Sequence, residues 1–74
     1  MEFNNKSLGK CLILKDCSKR HKLIYNVPYR EFILVHGLDI ENETWDGAEY
    51  YGNDLDGALN GYNKLISEEL DNER

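Results

Sequence analysis

The pattern of apolar residues predicts an α+β domain: a small antiparallel sheet of about four strands, with one C-terminal amphipathic helix packed on one face. Two observations carry this. Between Leu8 and Tyr51, four short runs alternate apolar and polar residues or are rich in aromatic and β-branched ones, separated by polar or Pro- and Gly-containing turns. From Leu55 onward the apolar period changes from two to three and four. The composition fits a single folded domain spanning residues 1–74: 41% hydrophobic residues and 31% charged ones suit a globular core better than a disordered tail.

Each element has its own rationale. Residues 8–15 read as a strand with Leu8, Lys10, Leu12 and Leu14 on one face and Cys11, Ile13 and Lys15 on the other. Residues 16–20 are polar and form a turn. Residues 21–27 form the second strand of a hairpin, with Leu23, Tyr25 and Val27 alternating against Lys22, Ile24 and Asn26. Pro28 has no N–H to donate and interrupts the ladder. Residues 29–38 form a third strand, whose centre Phe32-Ile33-Leu34-Val35 is apolar on both faces, as a central strand requires. Residues 44–51 form a fourth, carrying Trp45, Tyr50 and Tyr51, with Gly47 as the expected bulge. Asn53 or Asp54 caps a helix over residues 54–70. Its stripe of Leu55, Ala58, Leu59, Tyr62, Leu65, Ile66 and Leu70 runs for about 24 Å, with Leu59, Tyr62 and Ile66 expected against the sheet. The two chain ends are expected to fray.

Size and composition bound the function. A domain this small buries only about 60% of the surface of its unfolded chain, which favours a binding surface over a deep catalytic cleft; an enzyme is the least expected class. The longest apolar runs, Cys11–Leu14 and Phe32–Val35, fall far short of the roughly 20 residues that span a bilayer. The N-terminal residues lack a secretory pattern. The expected location is the cytosol, with Cys11 and Cys17 as reduced thiols.

The net charge of −5 is uneven: residues 1–38 hold seven basic and three acidic side chains, and residues 39–74 hold two basic and eleven acidic ones. Such asymmetry steers charged partners, although a charge run is also the ordinary solvated face of a folded domain.

Metal and catalytic motifs are weak. Cys11, Cys17 and His21, with His36 as a fourth ligand, do not match the close cysteine spacing of structural zinc sites, and two small apolar thiols explain them more simply. No metal or other cofactor is expected. A Cys–His catalytic pair lacks an orienting group and an oxyanion donor. The acidic run Asp39-x-Glu41-x-Glu43 has Thr44 where a calcium loop needs Gly. Gly57 and Gly61 inside the helix mark either a groove for another chain or close packing on the protein's own sheet. Glu68, Glu69, Asp71 and Glu73 crowd the helix C-terminus, where the dipole disfavours them. Local rules broken in this way tend to mark function or a frayed end.

The stretch from Trp45 to Tyr62, including Asp54-Leu-Asp-Gly-Ala-Leu-Asn-Gly-Tyr62, together with the preceding Phe32–Leu38 strand, resembles the endings of small uncharacterised proteins from phages and mobile elements of low-GC Gram-positive bacteria. The resemblance covers residues 30–66 and transfers no catalytic residue. It implies a setting, that of small acidic inhibitors of host defence enzymes, anti-CRISPR proteins among them, and so the cytosol of an infected cell.

Two surfaces follow. An acidic one, Glu41, Glu43, Asp46, Glu49, Glu68, Glu69, Asp71 and Glu73, suits a host protein with a basic, nucleic-acid-binding groove. A basic hairpin tip, Lys15, Lys19, Arg20 and Lys22 with His21, suits nucleic acid instead. Self-association of basic end on acidic end is a third reading.

Overall fold

The computed structural model describes residues 2–72, with side chains described as far as Leu70. Five strands, β1 (Glu2–Asn5), β2 (Gly9–Lys15), β3 (His21–Asn26), β4 (Glu31–His36) and β5 (Gly47–Gly52), precede one helix, α1 (Leu55–Asn72). The strands lie in chain order in one sheet, each antiparallel to the next. The expected α+β architecture is present, with five strands in place of four. The additional strand is β1, whose only apolar residue, Phe3, sits among polar neighbours and offers no readable alternation.

Both faces of the sheet carry a core. On one, Leu23 and Leu34 pair across β3 and β4 and pack against Ala58 and Tyr62 of α1. Leu59 and Ile66, expected at the centre of the helix contact, flank it half-buried; Ala58 and Tyr62 are the buried pair. On the other face Phe3, Cys11, Ile24, Ile33 and Val35 form a second cluster that no helix covers. Its lid is the connection between β4 and β5. There Trp45 packs edge-on against Phe3, ring centroids 6.5 Å apart, and the Asn5 side-chain amide donates to the Glu43 carbonyl at 2.8 Å. Trp45 therefore lies outside β5, and Thr44 makes only an isolated bridge with Asp39.

Local irregularities redirect several side chains. β2 slips by one residue between Ile13, opposite Ile24, and Lys15, opposite Leu23. The slip turns Lys15 to the helix side, whereas simple alternation places it with Cys11 and Ile13. Leu8 belongs to the β1–β2 turn and packs with the Phe3 cluster, away from Leu12. The irregularity of β5 falls at Tyr51, between the partners of Phe32 and Ile33, and Gly47 simply begins the strand.

The helix glycines serve the protein's own packing. Asp54 caps α1 by accepting from the Gly57 N–H at 2.9 Å, and a Cβ at Gly57 would collide with that carboxylate. A Cβ at Gly61 would collide with the Tyr51 hydroxyl, which lies over the helix beside Leu34. Gly61 thus makes room for Tyr51 between α1 and the sheet, and Gly57 makes room for the helix's own cap.

Asn26 is fully buried and ties two turns together. Its amide nitrogen donates to the Leu8 carbonyl at 2.8 Å, and its oxygen accepts the Tyr29 N–H at 3.1 Å. Asn26→Asp would set a carboxylate against a carbonyl oxygen in a buried site. We expect a loss of roughly 3 kcal/mol or more, read as a lower urea midpoint with an unchanged slope. An unchanged midpoint would show that this side chain does not hold the turns.

Candidate functional site

The β2–β3 turn and the C-terminal half of α1 are built into one another. The buried Tyr62 hydroxyl accepts the Cys17 N–H at 2.8 Å, and burial pushes the Tyr62 phenol above its ordinary value. The Ser18 hydroxyl donates to Glu69 at 3.0 Å while accepting the N–H groups of Arg20 and His21, each at 3.1 Å. Glu69, one of the carboxylates that defy the helix dipole, is therefore held by a hydroxyl from the neighbouring turn. Lys22, counted with the basic tip, turns inward: its ammonium donates to the Ser18 carbonyl at 2.5 Å and lies 3.7 Å from Asp16. Lys15, Lys19 and Arg20 remain exposed.

The acidic candidates fall into two groups. Glu41, Glu43 and Asp46 sit on the β4–β5 connection, over the sheet face opposite α1. Their neighbour Asp39 accepts from the Asn42 side-chain amide at 2.6 Å and backbone N–H at 3.2 Å, which lowers its pKa. Glu49 is opposite Leu34 and so shares the helix side of the sheet; Glu68 is exposed near the end of α1. The Asp71 side chain and Glu73 lie outside the described residues. Among the described residues, no acidic side chain from Asp39 onward forms an ion pair with Lys or Arg; Glu49 alone has a partner, the His36 ring at 3.5 Å.

The metal candidates separate. Cys11 is buried in the second core and Cys17 is exposed in the turn. His21 and His36, opposite one another on β3 and β4, bring their Nδ1 atoms to 2.7 Å with the rings edge to face. At that separation one ring donates a hydrogen bond to the other, the roles being set by the tautomers. Among the described residues no three metal-ligating side chains converge.

One feature has no counterpart among the sequence-predicted sites. An open apolar groove of about 580 Å³ on the helix side is lined by Leu14, Tyr25, Arg30, Phe32, Asn53 and Leu55. The exposed Leu14 and Leu55 were the available signals, but periodicity assigns both to a core.

His21 makes stability pH-dependent. Burial first, then the charges of His36 and Arg20, depress the His21 pKa below its ordinary 6.5, and Glu69 and Glu49 oppose this only in part. The unfolded chain thus takes up the proton before the folded one does. The stabilisation is complete above about pH 6.5 and is lost as the pH falls through that value toward the folded pKa. Melting temperature should fall between pH 7.5 and 5.5, and the fall should be shallower in His21→Asn. Equal slopes in the two proteins would exclude His21 as its source.

No family model, curated protein or solved structure matches this chain.

Proposed function

We propose that this protein is a binding module that presents an acidic surface to a basic protein partner. The supporting observation is the set of carboxylates left without Lys or Arg partners: Glu41, Glu43 and Asp46 on the β4–β5 connection, Glu49 on β5 and Glu68 on α1. The exposed Glu41 and Asp46 on one side of the sheet, and Glu49 and Glu68 on the helix side, offer a groove built for phosphates the same charge in another form. The resemblance to small phage and mobile-element proteins suggests a nucleic-acid-dependent host defence enzyme as that partner. The competing nucleic-acid reading is weakened by Lys22, whose ammonium is engaged inside its own turn.

Binding to such an enzyme should weaken steeply as salt rises, because exposed charges are screened over about 8 Å at physiological ionic strength. Charge reversal of Glu41, Asp46 and Glu49 to Lys should reduce inhibition of a nucleic-acid-dependent nuclease by about tenfold or more, with an unchanged melting curve. Reversal of Lys19 and Arg20 should leave inhibition intact. Tight binding of plain DNA or RNA in a gel-shift, abolished by the Lys19 and Arg20 reversals, would replace this reading with a nucleic-acid-binding one.

A further inference from the structure

We infer that the helix side of β2, together with the flank of α1 that faces it, forms a second docking trough, independent of the acidic surface, for an acidic amphipathic helix of another protein. Among the described residues, the backbone of α1 packs on β3, β4 and β5 and stays clear of β1 and β2. The helix side of β2 is therefore left open. Leu12 lies there opposite Tyr25, and Tyr25 lies against Phe32 with ring centroids 4.9 Å apart and the rings tilted by 51°.

The wall facing β2 is a stripe of α1 residues, Leu55, Leu59, Ile66 and Leu70, recurring at helical spacings. At one end Leu55 lines the open groove together with Leu14 and Tyr25; at the other Ile66 and Leu70 line a second depression of about 290 Å³ with the Cys17–Lys19 turn. Leu14, Leu55 and Leu70 are 42%, 42% and 58% exposed. Large apolar side chains aligned along a groove mark an interaction site, whereas scattered ones do not.

Charge selects the occupant. Arg30 lines one end of the trough; at the other Lys19 stands beside Glu69, whose carboxylate already accepts from the Ser18 hydroxyl. The slip in β2 brings Lys15 to the same side. A helix lying here would set its apolar face on the leucines and its flanks against these cations, so those flanks should carry Asp or Glu. A second copy of this chain does not suit the trough. The apolar stripe that it could offer is its own trough, which carries the same Lys15, Lys19 and Arg30 and would set cation against cation.

The test is a titration of the full isotope-labelled chain with a synthetic helical peptide of roughly 16 residues, about 24 Å long, with Leu on one face and Glu on its flanks. The comparison is the same peptide with Lys for Glu. The Glu peptide should shift the amide signals of Leu12, Leu14, Tyr25 and Leu55 and bind at least about tenfold more tightly than the Lys peptide. Leu14→Glu should abolish binding. Lys15→Glu with Lys19→Glu should reverse the preference between peptides, and Arg30→Asn, which keeps a residue suited to the positive φ there, should weaken the Glu peptide. Melting curves show that each variant is folded. Equal affinity for both peptides, no shifts with the Glu peptide, or shifts confined to Glu41–Glu49 would overturn the inference. So would RNA or duplex DNA displacing the peptide from the same amides.

Discussion

A sheet has two faces, and this chain has one helix. The constraint on which the rest of the structure depends is the closing of the second face without another element. The edge-to-face contact between Phe3 and Trp45 meets it, joining the first strand to the connection between the last two. Beneath that lid Cys11, Ile24, Ile33 and Val35 are fully buried. The Asn5–Glu43 hydrogen bond holds the same connection in place. Because the lid is a loop, its carboxylates stand at the surface over one face of the sheet. Because the single helix covers only β3 to β5, the helix side of β2 stays open on the other. Both proposed interaction surfaces are consequences of this division.

Much of the fold was legible in the sequence. The helix announced itself through its period and its Asp54 cap. The doubly apolar centre of β4 marked a central strand, correctly implying that both faces are covered, although sequence reasoning supplied a helix for only one of them. The missing lid had a physical cause. Phe3 is one apolar residue among Glu and Asn, and Trp45 read as a strand residue because aromatic rings favour strands. Their pairing is a tertiary contact between distant segments, and no local pattern encodes it.

The candidate sites were legible in type more than in arrangement. Charge counting found the acidic half and the basic tip, but not that Lys22 turns inward or that Glu69 is held by Ser18. The slip in β2 at Leu14 moves Lys15 to the other face, which alternation alone does not foresee. Of the two helix glycines, open to two readings in sequence, Gly61 packs under Tyr51 of the sheet, whereas Gly57 lies against the Asp54 cap of its own helix.

Trp45 is the only tryptophan, so its fluorescence reports directly on the lid. The decisive measurement is urea unfolding followed by Trp45 emission and far-ultraviolet circular dichroism in parallel, for the native chain and for Phe3→Ala. With the lid as the closing element, the two signals change together in the native chain. Phe3→Ala then shifts native emission to the red and lowers stability by roughly 3 kcal/mol or more. Unchanged emission and midpoint in Phe3→Ala, or an emission change that precedes the loss of secondary structure in the native chain, would contradict the account.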